Sequence, residues 1–224
     1  MSRVKRERIA VYIDGFNLYH AIHDLKQPHL KWVNLRKLSE YLIKTKTQRI
    51  VSVKYFSAFA EHFARTDQIG SLRRHRAYVK ALESKGVICL MGNFAKRDRV
   101  YSGKGYRARW RRHEEKQTDV GIGVHLVHDA HLNRFDRALV IGVDTDLLPA
   151  FKLMKADLPH KPAVCVAPPH RAHHRDLQAA ASGLEVIKVS QLQRALFGPT
   201  VVRDGAVIAR RPVSYKPPFE VPVS

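Results

Sequence analysis

Short apolar runs recur along the chain, and helical patterns separate them. "RIAVYID" (8–14) reads as a buried strand ending in an acid, and "GFNLYHAIHDL" opens a helix directly after it. In "NLRKLSEYLIKT" (34–45), Leu35, Leu38, Leu42 and Ile43 follow helical spacing, with Asn34 placed to cap the first turn. "RIVSVKYFSAF" (49–59) is β-branched and aromatic, the composition of a strand. A basic helix is predicted over about 67–84, with Gly86 past its end, and "GVICLM" (86–91) reads as the third strand. A helix over about 114–132 precedes the fourth strand, "RALVIGV" (137–143), and "DLLPAFKLMKA" forms a short helix behind it. "KPAVCVA" (161–167) is a fifth strand. "PPHRAHHRDLQAAAS" is a loop entering a helix, "GLEVIKV" (183–189) a short sixth strand and "SQLQRALFG" a closing helical turn. Strands separated by helices predict an α/β domain, its sheet mostly parallel with helices on both faces. Ligand sites in such sheets form at the carboxyl ends of the strands, near the point where strand order reverses.

Two segments break the alternation. Residues 92–113, "GNFAKRDRVYSGKGYRARWRRH", are basic, contain glycine and carry Tyr101, Tyr106 and Trp110, the pattern of a long loop or a hairpin. The tail from Pro199 has several prolines and little periodicity, which predicts an extended arm, partly disordered or docked on the body. The domain organisation expected is therefore one α/β unit over 1–198 and a C-terminal tail over 199–224.

Charge changes the picture. The 224 residues include 40 Lys and Arg against 20 Asp and Glu, a formal net charge of +20. Such a field attracts polyanions, nucleic acid first and an anionic membrane surface second. No stretch has the apolar length of a membrane span, and the basic N-terminus is followed by an apolar run too short for a signal peptide. Cys89 and Cys165 each sit in a short apolar run and read as buried free thiols, which suits a reducing, cytoplasmic setting.

Against this basic background, acids at the strand ends stand out. Asp14 ends the first strand, Asp144 ends the fourth, and Asp146 follows two residues on. Asp119, in "EEKQTDVGIGVHLV", shares a helix face with Ile122, Gly123 and Leu126, so it turns toward the sheet, and Glu115 lies on the same side. Singly, each has a structural reading. Asp14 and Asp144 can cap the helices after them, Asp146 likewise, and Asp119 can pair with Lys116. Together, carboxylates converging on one sheet edge repel unless a cation lies among them. Hard oxygen ligands with open positions suit Mg²⁺ or Mn²⁺, and such ions activate water against a phosphodiester. Other motifs are missing. A haloacid-type phosphatase needs an acid where Phe16 stands, and neither a dinucleotide-binding nor a phosphate-loop glycine pattern occurs.

The blocks "VYIDGFNLYHAI" (11–22), "EKQTDVGIGVHLVHDA" (115–130) and "RALVIGVDTDLLPAF" (137–151) resemble the three signature blocks of NYN domains, relatives of the PIN-domain ribonucleases. The resemblance covers about 8–195. It implies a Rossmann-like (PIN-like) fold and a metal-dependent endoribonuclease, a hydrolase using Mg²⁺ or Mn²⁺. Asp14, Asp119, Asp144 and Asp146 fall on the family's acidic positions, and Asn17 on its polar companion. The expected catalytic set is Asp14, Asn17, Asp119, Asp144 and Asp146, with the four aspartates holding metal. The chain departs from the pattern at His125, where relatives often carry a further Asp, and at Gly142 and Val143, where Ser and Gly are commoner.

RNA has a natural landing place in the segment before the second block. Lys96, Arg97, Lys104, Arg107, Arg109, Arg111, Arg112 and Lys116 would hold phosphates, while Trp110 and its neighbouring tyrosines stack unpaired bases. "HRAHHR" (170–175) reads either as a metal-binding stretch or, the favoured reading, as a basic loop near the end of the fifth strand whose Arg171 contacts phosphate. The partner expected is single-stranded or looped RNA, with no membrane partner; a homo-oligomer stays open. A non-catalytic RNA-binding or scaffold module with the same fold is the alternative, and a DNA nuclease would carry identical acids.

Overall fold

The computed structural model describes residues 6–103 and 106–218, with the backbone alone over 95–103 and 106–116. The strands are β1 (Glu7–Asp14), β2 (Gln48–Ala58), β3 (Ile88–Gly103), β4 (Tyr106–Lys116), β5 (Arg137–Ile141), β6 (Ala163–Ala167), β7 (Gly183–Val186), β8 (Thr200–Arg203) and β9 (Ala206–Arg210). The α-helices are α1 (Gly15–Asp24), α2 (Leu35–Glu40), α3 (Ile69–Glu83), α4 (Thr118–His131), α5 (Leu148–Asp157), α6 (Arg175–Ala180) and α7 (Val189–Arg194). β1 to β7 form one sheet in the order β4-β3-β2-β1-β5-β6-β7, in which every neighbouring pair is parallel except β3 with β4. This is the α/β, mostly parallel architecture that the alternating pattern predicts.

Burial explains why the strands read as unbroken apolar runs. Helices cover both faces, so both sets of alternating side chains are inside. Along β1, Ile9, Val11 and Ile13 enter a core with Leu18, Trp32, Leu35, Leu38 and Leu82. Ala10 and Tyr12 enter the opposite core with Ile122, Leu126, Phe151 and Leu177. The order reverses at β1, whose chain neighbour β2 lies on one side while β5 pairs on the other. The carboxyl ends of β1 and β5 therefore flank the crevice where such sheets take ligands.

Several boundaries differ from the sequence pattern: β5 ends at Ile141 rather than 143, and β7 at Val186, with Val189 already opening α7. Residues 114–116 pair with Asn93, Phe94 and Ala95 as the end of a long antiparallel hairpin, so α4 starts at Thr118. Gln117, at φ 80°, makes the turn from strand to helix. β3 pairs with β2 only from Ile88 to Gly92; its remainder runs on with β4 past the end of β2, on the same edge as the strand-end acids. α2 is shorter than its apolar spacing suggests and closes at Glu40 with bonds from the Tyr41 N–H to Leu38 and Ser39. The C-terminal segment is not simply extended: β8 and β9 form an antiparallel hairpin whose Val201 and Ala209 join the first core, and β9 packs on α3.

Among the described residues no helix is long and apolar enough to cross a membrane. Cys165 is buried and Cys89 half-buried, both free, and burial pushes their thiols up to about 11 and about 12.

Candidate active site

Asp14 is the deepest acid of the site. It is 4% exposed, at the junction of β1 and α1. One oxygen, Oδ1, accepts the Asn17 N–H at 2.9 Å and so caps α1. Gly15 is forced by the same junction: a Cβ there would lie 2.6 Å from the Phe56 carbonyl oxygen and 2.7 Å from the Tyr55 ring. Gly142, which follows β5 beside Asp14, has a comparable reason. A Cβ on it would meet the Asp14 Cβ at 3.1 Å.

Asp14, Asn17, Asp119 and Asp144 line one cavity of about 250 Å³, together with Phe16, His20 and Arg171. α1 supplies Phe16, Asn17 and His20, the first turn of α4 supplies Asp119, and the segment after β5 supplies Asp144. Burial pushes the Asp14 carboxyl up to about 7. The Asn17 and Phe16 N–H groups pull it down, and the Asp119 and Asp144 carboxylates push it up again. The Asn17 Oδ1 is buried and finds no hydrogen-bond partner among the described residues, an orphaned acceptor at the same place.

Asp144 and Asp146 differ in placement. Asp144 Oδ1 accepts the Asp146 N–H at 3.0 Å and caps a 3₁₀ turn, Thr145–Leu147, while lining the cavity. Asp146 is exposed and does not line it. The capping role that the sequence leaves open to Asp146 belongs to Asp144. Arg171 lines the cavity already paired with Asp24, an exposed ion pair worth little in stability. His125 lies elsewhere, with Nδ1 3.3 Å from the Lys54 ammonium and its ring against Phe56. The Lys104 position lies outside the described residues. So do the side chains of Lys96, Arg97, Arg107, Arg109, Trp110, Arg111, Arg112 and Lys116, and of Glu115; their backbone forms the β3–β4 hairpin.

Phe16 and His20 were not singled out by the sequence reading. The signal was available: they are four apart at the start of α1, and His20 is one turn beyond Asn17 on one helix face. A shallower depression beside the acids adds His173, His174 and Arg175 to Asn17, Asp144 and Thr145.

The donor set fits a hard divalent cation. It offers carboxylate oxygens, a buried amide oxygen and a carboxyl group that burial, with a smaller push from the Asp119 and Asp144 carboxylates, raises to about 7. Among the described residues no three Asp, Glu, His or Cys side chains are grouped closely enough to hold a metal ion together. A cation bound here would draw on few protein ligands and keep water, the coordination that Mg²⁺ favours.

α1 also separates this cavity from a second one. That cavity holds about 330 Å³, and Phe16 and His20 line both.

The model of the NYN domain family matches residues 8–187. One relative, the 6-hydroxy-3-succinoylpyridine 3-monooxygenase HspA of Pseudomonas putida (strain DSM 28022 / S16), is 28% identical over 177 residues. The match covers 66% of this chain and 56% of that protein, so this chain spans little more than half the relative's length. A protein of unknown function from Vibrio parahaemolyticus RIMD 2210633 has the same fold, with a TM-score of 0.54 at 18% identity. The match covers 84% of this chain and 98% of that one. With the family model spanning the sheet from β1 to β7 and all the strand-end acids, the chain belongs to the NYN domain family.

Proposed function

We propose that this protein is a metal-dependent endoribonuclease. The observation that carries the reading is one cavity lined by Asp14, Asn17, Asp119 and Asp144 at the strand-order switch of a chain with net charge +20. Asp14, Asp119 and Asp144 would hold Mg²⁺ or Mn²⁺, with Asp146 close behind them in the chain. Such an ion activates water and neutralises the charge that builds on a phosphodiester during attack. Asn17 contributes its unused amide oxygen, which orients a ligand or a water. Arg171 and the basic residues of the β3–β4 hairpin hold the phosphates on either side, and RNA with unpaired bases is the substrate best suited to a basic segment rich in aromatics.

Cleavage of a fluorescent single-stranded RNA tests this. Cutting with Mn²⁺, lost in EDTA and in Asp144→Asn, is the expected result; equal cutting in all three sinks it. Tight, salt-sensitive RNA binding with no thermal response to millimolar Mn²⁺ would instead favour a non-catalytic RNA-binding module.

A second reading follows the name of the Pseudomonas relative, a pyridine-ring monooxygenase. The observation in its favour is the aromatic lining of the cavity beside Phe16. Turnover of 6-hydroxy-3-succinoylpyridine under air with a reductant, and no RNA cleavage, would establish it over the first.

A further inference from the structure

The second cavity has the chemistry of a ring-binding pocket. It lies between α1, the carboxyl end of β2 and the turn after it, Phe94 of β3, α3 and Tyr215 of the C-terminal segment. Its volume, about 330 Å³, lies at the low end of the range for small-ligand pockets, about 300–1,000 Å³. Phe16, Tyr19, Phe63, Phe94 and Tyr215 give it flat, apolar walls. Phe16 meets Phe94 edge to face at 5.8 Å, which fixes both rings at the side nearest the acids.

A few polar groups are set into these walls. His75 Nε2 lies 3.4 Å from both the Tyr55 hydroxyl and the Ser57 hydroxyl, contacts at the long limit of hydrogen bonding. Burial pushes the His75 imidazole down to about 4, so it presents a neutral donor and acceptor. Lys31 holds the mouth on one side, its ammonium 4.5 Å from the Tyr19 ring centre, and Arg74 is set beside Tyr215. Aromatic faces with scattered neutral hydrogen-bonding groups suit a planar heteroaromatic ring, stacked on its faces and read at its edge.

The decisive feature is adjacency. Phe16 and His20 line both cavities, so one turn of α1 divides a ring-sized aromatic pocket from a carboxylate pocket. A nucleotide has the same two parts, a flat ring and a phosphate, joined through one sugar. We propose that the aromatic cavity receives the base of the nucleotide next to the scissile phosphate, an assignment that rests on the ribonuclease reading. The cleavage site is then chosen by a base held beneath Tyr19 and Tyr215, while the basic hairpin holds the backbone without regard to sequence.

The test is run on the full chain in EDTA, where no cleavage can occur. Adenosine, guanosine, cytidine, uridine and ribose 5-phosphate are titrated, with saturation-transfer NMR reading which protons touch the protein. At least one nucleoside should show saturated base protons, and ribose 5-phosphate should show none. Ser71→Trp, which puts a ring into the cavity from α3, should weaken that binding by about tenfold, the scale of a lost stacking contact. Tyr19→Ala, at a 41% exposed position, is the second variant should the first fail to fold, with a loss of about three- to tenfold. Asp144→Asn should leave nucleoside binding within about twofold, because it changes the other cavity. The proposal is overturned if no nucleoside binds, if both cavity variants bind as the native chain does, or if 6-hydroxy-3-succinoylpyridine binds there and nucleosides do not. Nucleoside binding without RNA cleavage in Mn²⁺ defeats the nuclease reading and leaves the pocket a base site. Cleavage without nucleoside binding defeats the pocket assignment alone.

Discussion

Asp14 does two things with one carboxyl group. It caps α1 through the Asn17 N–H, and it faces the acid cavity with Asp119 and Asp144. Asn caps a helix about as well as Asp, so Asp14→Asn keeps the first role and removes the charge from the second. In EDTA the variant should melt at or above the native temperature, because a buried carboxyl group under repulsion has been neutralised. With millimolar Mn²⁺ the native chain should melt higher and the variant should not, since the ion stabilises only what it binds. Thermal denaturation with and without Mn²⁺ checks both, and a Mn²⁺ response kept by the variant would remove Asp14 from the ligand set. Gly15, its neighbour, has no room for a methyl group against the Phe56 carbonyl oxygen. Gly15→Ala should cost about 1–3 kcal/mol in urea unfolding, the range for overpacking; a cost near zero would mean that the junction relaxes freely. These positions were partly legible. Asp14 and Asp144 mark themselves because an acid directly after an apolar strand is conspicuous. The division of labour between Asp144 and Asp146 was not, because it depends on which carboxylate turns inward, a matter of one backbone torsion after β5.

At the level of elements, α4 must present Asp119 to the acid cavity, and a buried polar cluster locks it in place. Asp129, 2% exposed near the end of α4, accepts from the Tyr12 hydroxyl of β1 and the Lys54 ammonium of β2, and pairs with Arg134. Those hydrogen bonds, led by Lys54, outweigh burial and hold its carboxyl below the usual range. Lys54 is itself 7% exposed, so Asp129→Ala would leave a buried cation unpaired, at a cost of about 3–5 kcal/mol. Replacing both residues with apolar ones, as in Lys54→Met with Asp129→Leu, should recover much of that loss. Urea denaturation of single and double variants decides it, and additive losses would mean that the pair does not act as a unit. α3 carries a different liability in His75, buried and neutral with its imidazole pushed down to about 4. The unfolded chain takes up this proton near pH 6.5, and the folded one does not until about 4. Stability from this group is therefore complete above pH 6.5 and drains away as pH falls toward 4. His75→Gln should flatten the fall in melting temperature over that window, and an unchanged slope would clear His75 of the effect. Helix and strand identity was readable for the parallel strands and most of the helices between them, because helical apolar spacing and continuous apolar runs survive in any surroundings. The start of α4 was not: 114–116 look helical locally but gain strand partners on β3, a contact that no window of sequence contains.

Across the whole molecule, both faces of the sheet need a lid, and the C-terminal segment is part of one. Val201 and Ala209 of the β8–β9 hairpin join the core beneath α3, the Trp32 indole N–H donates to the Gly198 carbonyl at 3.0 Å, and Tyr215 closes the aromatic cavity. The many prolines obscured this hairpin in the sequence, yet a turn signal was there. In "VVRDGAVIAR", Asp204 and Gly205 stand between two β-branched stretches, and both have positive φ, 51° and 79°, as a tight hairpin turn requires. The parallel sheet, by contrast, was legible because its strands are continuously apolar, whereas a two-stranded hairpin buries only one side chain in two. Since the segment contributes buried apolar surface, truncating the chain after Gly198 should lower stability by about 2–4 kcal/mol. For a chain of 224 residues that corresponds to a melting temperature roughly 5–15 °C lower. Among the described residues the acid cavity takes none from the tail, so the Mn²⁺-induced rise in melting temperature should persist in the truncated chain. Nucleoside binding in EDTA should weaken, because Tyr215 is gone from the wall of the other cavity. A truncated chain that melts within a degree or two of the full one would show that the hairpin rides on α3 without supporting it. Loss of the Mn²⁺ response together with folded secondary structure would tie the tail to the acids rather than to the aromatic pocket.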